Sequence, residues 1–483
     1  MLAVFILYLT VTLFIAWWYS RGARTHEEFV LGGKRFSGTA LALSERATGE
    51  SAWLLLGLTG HAYAEGISSI WVALGCVIGI VFIWTVMAGR LRAETEKTGA
   101  MTIPGLLGRK FPESRRSISM LSALIIVFFF LFYIAAQFAG SGKVLEKTFG
   151  LDPLWGILIG SVVVTVYCIM GGFIAVVVTD VFQAVLMIFT LVVFPVIAVF
   201  VIAAHNIHVA EALSAAGPGI LSLTQSKTGG AAALFILSGM SWAMGYTGQP
   251  QLLSRMMAIR NAGEVRRARQ VAVMWTLLAY TGAILIGLFG IALVQSGYLA
   301  AEGGRLAEDA EKILPVMVMT LVSPVIAGFL LSGVISAMMS TAATELTVSS
   351  ASMTEDIFAG LRKHEIASAR KLWLNRIMTL AVGVVAIVLA LTMTDTVYGL
   401  VSYAWSGIGS SFGPALLLVL FWKKFSRAGV FASLVSGTLS TIVWKSFFEA
   451  QTGISERLTS FVFAFAMAVL FSLLFPERQQ KNT

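Results

Sequence analysis

Apolar stretches of about 20 residues or more recur along the whole chain, separated by short polar segments. A helix of this length crosses the roughly 30 Å hydrocarbon core of a bilayer. A soluble protein carries about a quarter charged residues, whereas Asp, Glu, Lys and Arg make up 12% of this chain and apolar residues 57%. The sequence therefore predicts an all-α membrane protein that crosses the bilayer many times, and it excludes a string of soluble domains.

The apolar stretches predict thirteen transmembrane helices. They lie near residues 1–20, 38–63, 67–89, 117–142, 153–173, 177–204, 231–254, 270–296, 324–353, 373–393, 397–422, 427–447 and 458–475. Residues 1–20 lack the basic start and the small-residue cleavage site of a signal peptide, so we expect them to remain as the first helix.

Lys and Arg are distributed unevenly between the predicted loops. With the N-terminus outside, the inner segments hold 26 of the 34 Lys and Arg residues; these segments are 21–37, 90–116, 255–269, 355–376, 423–427 and the C-terminal tail. The outer segments hold 7, and Arg46 lies within a span. The positive-inside rule therefore predicts an outer N-terminus and a cytoplasmic C-terminus in a bacterial inner membrane. Because orientation accounts for the net charge of +9, no nucleic-acid partner is expected.

Residues suited to catalysis or metal binding are few and scattered. Cys76 and Cys168 lie inside spans, where cysteine behaves as a small apolar residue. His205 and His208 share one outer loop, but two histidines without a further ligand are weak evidence for a metal site. The sequence contains no zincin, P-loop, nucleophile-elbow or dinucleotide motif. We do not expect an enzyme.

Two spans are interrupted by residues that disfavour a continuous membrane helix. The second contains residues 44–53 (SERATGESAW), with three charges, and the seventh contains residues 242–250 (WAMGYTGQP), with two glycines and a proline. If helices two to six and seven to eleven form two five-helix repeats, these are the first helices of each. Broken helices at matching positions of inverted repeats indicate a secondary transporter with its site near the membrane midplane. The alternative is a pair of kinked packing helices.

The ninth span contains a cluster of hydroxyl residues at 336–345 (SAMMSTAATE). Helical spacing puts Ser340 and Thr344 on one stripe, with Thr341 and Glu345 on the next. Neutral hydroxyl and carbonyl oxygens suit a weakly held monovalent cation. Small hydroxyl residues also serve as helix packing contacts, so both interpretations stay open at this point.

Four carboxylates are predicted within spans or at their edges: Glu45, Glu50, Asp180 and Glu345. A charge inside the membrane costs roughly 2.5–3.5 kcal/mol on insertion scales and marks a functional site by default. Arg46 is the one guanidinium counted within the spans, so acids outnumber bases there. A cation, a proton or a cationic substrate would neutralise part of the excess negative charge. We expect Arg46 to pair with Glu45, Asp180 or Glu345; the sequence does not choose between them.

Six short motifs follow one another along the chain at consistent spacing. They are 51–58 (SAWLLLGL), 171–176 (GGFIAV) with Thr179 and Asp180, 245–250 (GYTGQP), 339–341 (MST), 349–356 (SSASMTED) and 399–405 (GLVSYAW). Together they resemble the sodium:solute symporter family, and most closely its sodium/proline symporters. The resemblance implies a LeuT-like core of two inverted five-helix repeats. The implied division is a first helix and loop over 1–37, repeats over 38–204 and 205–422, and two C-terminal helices with a tail over 423–483.

The same resemblance implies where a sodium ion binds. Its ligands would be the backbone carbonyls of Ala47, Glu50 and Ala337 and the hydroxyls of Ser340 and Thr341. Members with a second sodium use positions that match Asp180, Ser340, Ala343 and Thr344. Because Ala343 lacks a hydroxyl, only Asp180 and Thr344 are kept, beside the shared Ser340, as candidate ligands of a second cation.

The substrate site implied by the resemblance is aromatic and consists of Tyr133, Trp242 and Tyr246, with Trp53 and Pro250 close by. One departure stands out: proline symporters carry an aspartate where this chain has Gly49, and an apolar residue where it has Glu50. Arg46, Gln137 and Glu345 are further candidates for gating or selectivity.

The predicted function is sodium-driven import of a small amino-acid solute, most simply L-proline, by alternating access. One alternative is a sodium- or proton-coupled importer of another amino or carboxylate solute, such as a cationic amine or polyamine selected by Glu50 and Glu345. A sensor is disfavoured because no kinase-sized segment follows the last helix, and the broken aromatic-rich helices disfavour a channel. The expected partners are the lipid bilayer and a small-molecule substrate.

Overall fold

The computed structural model describes residues 1–20, 26–358 and 367–477, and they are almost entirely helical. The α-helices, numbered in chain order, are α1 (Leu2–Ser20), α2 (His26–Leu31), α3 (Gly38–Ala52), α4 (Thr59–Glu65), α5 (Ile70–Phe82), α6 (Ala88–Thr98), α7 (Ile103–Lys110), α8 (Arg115–Phe149), α9 (Pro153–Ile188), α10 (Phe194–Ala204), α11 (Val209–Ala215), α12 (Gly229–Met240), α13 (Trp242–Tyr246), α14 (Pro250–Met257), α15 (Ala262–Gln295), α16 (Ala300–Glu308), α17 (Ile313–Leu321), α18 (Pro324–Ser352), α19 (Ser368–Thr392), α20 (Val397–Phe421), α21 (Arg427–Val443), α22 (Glu449–Thr452) and α23 (Glu456–Leu474). Wider π-helical turns follow several of them, at Trp53–Leu58, Ile83–Met87, Phe189–Val193, Met353–Phe358 and Trp444–Phe448.

Within the described residues, eleven helical segments are long and apolar enough to cross a membrane. One of them, Gly38–Thr98, holds both the second and the third predicted spans, with a positive-φ turn at Gly66 between them. The seventh predicted span falls outside this count because it is divided between α12, α13 and α14. The chain is thus a multi-span membrane protein, and the number thirteen stays a prediction.

The fifth and sixth predicted spans meet at Gly172. Its backbone has φ 54° and ψ −153°, a conformation open chiefly to glycine, and it interrupts the long helix α9. The candidate spans on either side are Pro153–Met170 and Gly172–Ala204. A single glycine therefore sets a boundary that hydropathy alone places only approximately.

Burial distinguishes central from peripheral helices. In the most apolar window of the segment containing α18, 83% of the residues are buried inside the protein, and the value for α20 is the same. The corresponding values for α1 and α21 are 22% and 28%. Helix α18 packs against α3, α8 and α9. The helix that carries the hydroxyl cluster is therefore at the centre, and α1 and α21 turn most of their apolar surface towards lipid.

The broken helices α3 and α13–α14 stand at the starts of the two predicted repeats. Each packs against the central part of the molecule, α3 on α18 and α13 on α20. The repeat boundaries at 38–204 and 205–422 stay a prediction.

Candidate functional site

The break in α3 lies at Ser51, whose backbone has φ 49° and ψ −172°. A residue other than glycine in this region costs about 1–3 kcal/mol and persists only where surrounding contacts hold it. The Ser51 hydroxyl accepts a hydrogen bond from the Trp53 N–H at 3.0 Å, and the freed Ala52 N–H donates to Gln137 Oε1 at 2.8 Å. The side chain of Gln137 thus replaces a lost helical partner, which gives this candidate gating residue a definite structural role.

The seventh span breaks between α13 and α14, where Gln249 has an extended backbone and Pro250 starts the next helix. A Cβ atom on Gly248 would lie 2.6 Å from the backbone nitrogen of Gly413. The Gln249 side chain donates to the carbonyl of Trp405 at 3.0 Å. The glycine and the proline therefore create the break and allow it to pack closely on α20.

Four of the five residues predicted to bind the cation lie where α18 crosses α3, just before the Ser51 break: Ala47, Ala337, Ser340 and Thr341. Ser340 Oγ lies 2.9 Å from the Ala47 carbonyl and 3.0 Å from the Ala337 carbonyl. Thr341 Oγ1 donates to the carbonyl of Thr48 at 2.7 Å. These neutral oxygens fit the donor set that a sodium ion needs. The Thr48 carbonyl was not among the predicted ligands, because the predicted backbone carbonyls came from the family resemblance.

Glu50 sits one turn beyond this crossing. Its carbonyl accepts the N–H of Trp53, and its Oε2 accepts the indole N–H of Trp275 at 2.5 Å. The other carboxylate oxygen has no hydrogen-bond partner among the described residues, and the same holds for both carboxylate oxygens of Glu345. Both side chains are fully buried. Glu50 therefore has one hydrogen-bonded carboxylate oxygen, and Glu345 has none, among the residues that the structure describes.

Asp180 and Thr344, the candidate second-cation ligands, are gathered around the guanidinium of Arg255. Arg255 Nη2 lies 3.1 Å from Asp180 Oδ2 and 2.6 Å from Thr344 Oγ1. Ser44 Oγ donates to the same Asp180 oxygen at 2.6 Å and accepts from Arg255 Nε at 3.1 Å. A buried positive charge therefore already lies between these ligands.

The sequence count of one buried guanidinium was wrong. Arg255 lies at the edge of the seventh span and was placed among the inner-loop cations, but only 1% of it is exposed. It is in the last turns of α14, where its Nη1 also donates to the Gln251 carbonyl at 3.0 Å. Near these four acids the described residues thus include two buried arginines, Arg46 and Arg255.

Arg46 pairs with Glu45, one of the three partners that the sequence allowed. Arg46 Nε lies 2.6 Å from Glu45 Oε2, and Trp84 Nε1 donates to the same oxygen at 3.1 Å. Asp180 belongs to Arg255 instead. These two buried ion pairs are thus separate, one within α3 and one between α9 and α14.

Three of the predicted substrate residues share one aromatic cluster. The rings of Trp53 and Trp242 are 4.3 Å apart, and Tyr246 contacts Trp405 at 4.6 Å, with Trp405 5.8 Å from Trp242. The hydroxyl of Tyr246 is 2.9 Å from that of Tyr280. Trp405 and Tyr280 were not predicted, although Trp405 ends one of the motifs that carried the family resemblance.

The other two predicted substrate residues lie at the margin of this cluster. The Tyr133 hydroxyl is 3.5 Å from Ser51 Oγ, across the break in α3. Pro250 lines a small cavity of about 30 Å³ together with Arg255 and Thr344. The structure therefore brings Trp53, Trp242 and Tyr246 together, sets Tyr133 beside the break, and places Pro250 with the Arg255 network.

Polar contacts link helices on the predicted outer and inner sides of the protein. On the predicted outer side, the carboxylate of Glu311 accepts the N–H groups of Val397 and Tyr398 at 3.0 and 2.8 Å and pairs with Lys143 at 2.6 Å. On the predicted inner side, Thr102 donates to Asp356 at 3.0 Å. Trp53 and Trp242 are 2% and 1% exposed. The aromatic cluster is therefore buried inside the protein.

Comparison with known proteins agrees with this geometry. The model of the sodium:solute symporter family matches residues 29–437. The sodium/proline symporter of Escherichia coli (strain K12) is 37% identical over 95% of this chain and 90% of that protein. The high-affinity proline transporter PutP of Bacillus subtilis (strain 168) is 35% identical over 92% of this chain and 90% of its own length.

Solved structures of transporters share the fold. A sodium-coupled sialic acid symporter in a substrate-bound outward-open state superposes with a TM-score of 0.81 at 18% identity, over 99% of this chain and 98% of that one. MhsT in complex with L-phenylalanine gives 0.57 at 14% identity, over 90% and 97%. The predicted all-α, LeuT-like fold is confirmed. The chain belongs to the sodium:solute symporter family.

Proposed function

We propose that this protein is a sodium-coupled secondary active symporter that imports L-proline by alternating access. The observation that carries the proposal is the crossing of α18 and α3, where Ser340 and Thr341 contact the carbonyls of Ala47 and Thr48 beside the Ser51 break. Two relatives named for sodium/proline or proline transport align over nine-tenths of the chain.

The sodium ion would be held by the carbonyls of Ala47, Glu50 and Ala337 and the hydroxyls of Ser340 and Thr341. Both hydroxyls now donate to carbonyls of the segment before the break. A cation at this point would turn the hydroxyl oxygens towards itself and join α18 to α3 through its charge. Because the Ser51 break is strained, such a link would order it and favour one arrangement of the helices.

Substrate would bind against the aromatic cluster next to this crossing. The apolar faces of Trp53, Trp242 and Tyr246 suit a pyrrolidine ring, and backbone groups freed at the two breaks are available to its polar groups. Since sodium raises the affinity for substrate through the shared α3 break, substrate must raise the affinity for sodium by the same factor. An inside-negative potential of 100 mV would contribute about 2.3 kcal/mol for each positive charge carried inward.

Asp180 and Thr344 would take part in coupling through Arg255. In the arrangement described above, the guanidinium compensates Asp180, and a second cation would have to displace it. We therefore propose that one sodium ion is transported in each cycle. The Arg46–Glu45 pair would fix the predicted cytoplasmic half of α3 while the part beyond Ser51 moves.

The proposed setting is a bacterial cytoplasmic membrane, with the N-terminus outside and the C-terminus inside. The positive-inside distribution of Lys and Arg supports this orientation. In this orientation, α16 and Glu311 would lie on the outer face and α7 and Asp356 on the inner face.

Uptake into proteoliposomes tests the function directly. We expect accumulation of labelled L-proline that needs an inward sodium gradient and is inhibited by unlabelled proline. Competitors should include small amino acids and diamines. Strong inhibition by diamines together with absence of proline uptake would overturn the proposed substrate and return Glu50 and Glu345 to the role of cation-selecting acids.

A further inference from the structure

Arg457 is a buried cation that reaches the aromatic cluster from outside the two predicted repeats. It lies in the first turn of α23, and only 8% of it is exposed. Its guanidinium carbon is 4.6 Å from the centre of the Trp242 ring. The C-terminal helix pair, which the family resemblance sets beside the transport core, therefore contributes a charge to the edge of the proposed substrate site.

The known partners of Arg457 leave part of its donor capacity unused. Its Nη1 donates to Ser402 and lies 3.6 Å from Glu456 Oε1, and Ser402 donates to the same carboxylate oxygen at 2.8 Å. Among the described residues, Arg457 Nε has no acceptor. One edge of the guanidinium is thus occupied and the Nε group is not.

Two further N–H donors of the same cluster also lack acceptors within the part of the chain that the structure describes. These are the indole nitrogens of Trp53 and Trp242, whose rings are 4.3 Å apart. Buried donors are nearly always paired, because an unpaired one loses its water without compensation. Three unmatched donors, one of them charged, therefore indicate a missing ligand that only accepts hydrogen bonds.

A carboxylate has this chemistry. It accepts without donating, and its hydrogen bonds with guanidinium are short and charge-assisted. Ser402 is a little over one turn inside the start of α20 at Val397, on the outer side of the proposed topology, so an incoming substrate would meet Arg457 before the α3 break.

We propose that Arg457, Trp53 and Trp242 form an outer subsite that receives the carboxylate of an amino-acid substrate. The proposal rests on the proposed transport function and adds a specificity-determining residue from α23. Glu456 keeps the guanidinium in place and balances its charge until the carboxylate arrives. The subsite selects amino acids over their amides and esters.

Calorimetric binding of L-proline and L-prolinamide to the purified full-length protein in sodium buffer tests this selection. For Arg457→Gln, we expect the Kd for proline to rise about tenfold, while that for prolinamide changes little. The preference for the acid over the amide then falls by about the same factor. Arg457→Lys should keep part of that preference, because the charge is retained and the Nε donor is lost.

The matched control is Lys227→Gln, since Lys227 is an exposed cation 4.5 Å above the ring of Phe235 and away from the cluster. It should leave both Kd values unchanged. Should Arg457→Gln fail to fold, Glu456→Gln keeps the arginine and removes its counter-charge, so it should tighten proline binding without improving amide binding. An unchanged acid-to-amide ratio in Arg457→Gln, or in Glu456→Gln where that variant is used, would overturn the subsite.

Different results would contradict the proposed function and the proposed subsite. If the wild-type protein neither binds nor transports proline, proline is the wrong substrate. The acid-to-amide ratio is then measured with whichever amino acid of a panel binds, and a wild-type protein that binds acids and amides equally well contradicts the carboxylate subsite.

Discussion

The two broken helices differ in what makes them break. In the seventh span, the sequence itself disfavours a helix: Gly248 packs against Gly413, and Pro250 cannot continue the helix before it. In α3, the break falls on Ser51. Serine is compatible with a helix, but here its backbone is held in a conformation typical of glycine. The break in the seventh span is therefore permanent, whereas the break in α3 depends on contacts with neighbouring helices.

The two breaks therefore differ in function. A break fixed by Gly and Pro serves as a rigid wall, and it carries Trp242 and Tyr246 on one side and Arg255 on the other. A break held by contacts from α8 and α18 can respond to what binds there. The conformational energy of Ser51 is therefore available for coupling, whereas that of the seventh span is not.

Gly248→Ala should have the largest effect on stability, because the break in the seventh span leaves no space for a side chain at this position. The new Cβ would come within 2.6 Å of one backbone atom of α20 and 2.9 Å of another. Backbone cannot move aside as a side chain can, so we expect a loss of about 3 kcal/mol in stability. Thermal unfolding in detergent should show a much lower Tm. Gly230→Ala, in α12 with open space around it, should unfold like the wild type, and equal Tm values for the two variants would contradict a rigid packed break.

Gln137→Leu should be the next largest, because it removes the acceptor for the Ala52 N–H at the α3 break. Leaving a buried backbone donor unpaired costs about 2 kcal/mol. Gln251→Leu is the matched variant beside the other break, where the amide donates only to the Gln249 side chain at 3.0 Å. Tm and sodium-dependent proline uptake should both fall further in Gln137→Leu. Equal losses would mean that the α3 break does not depend on its neighbours.

Ser340→Ala and Thr341→Ala should weaken the activation of proline uptake by sodium more than they lower the expression level of the protein. Each removes a hydroxyl that contacts the segment before the break. We expect the sodium concentration for half-maximal uptake to rise about tenfold, which is about 1.4 kcal/mol. Ser332→Ala controls for loss of a buried hydroxyl in the same helix, since Ser332 donates only to the Gly328 carbonyl of its own helix. Unaltered sodium dependence in both site variants would remove the cation assignment.

Residue type predicted both breaks, for different reasons. Gly and Pro at 248 and 250 disfavour a helix directly, and charges in an apolar span mark α3 because an intramembrane charge needs a cavity or a partner. The strained residue itself, Ser51, could not be identified, since serine has no preference for positive φ. The fold class and the gathering of Ala47, Ala337, Ser340 and Thr341 were predictable because family motifs cover both helices.

Partners between distant spans were much harder to predict. Arg255 was assigned to a loop because hydropathy cannot locate the end of a broken helix, and its pairing with Asp180 joins α14 and α9, which are far apart in the sequence. Trp405 and Tyr280 are ordinary aromatics in apolar helices, where most such residues only fill space. Arg457 lies at the end of a span, where an arginine normally reaches the membrane surface.

Substitutions at Ser51 should have the smallest effect and separate strain from hydrogen bonding. Both Ser51→Ala and Ser51→Gly lose the hydroxyl that accepts the Trp53 N–H, but only glycine adopts φ 49° without a steric penalty. The glycine variant should therefore be more stable than the alanine variant by about 1 kcal/mol, measured as a higher Tm. If the alanine variant is equally stable, α3 has relaxed to a continuous helix, and the break needs the serine hydroxyl to exist. If the glycine variant is more stable and also binds sodium more tightly, the strain at Ser51 opposes sodium binding, and ordering this segment is a step that the ion itself must drive.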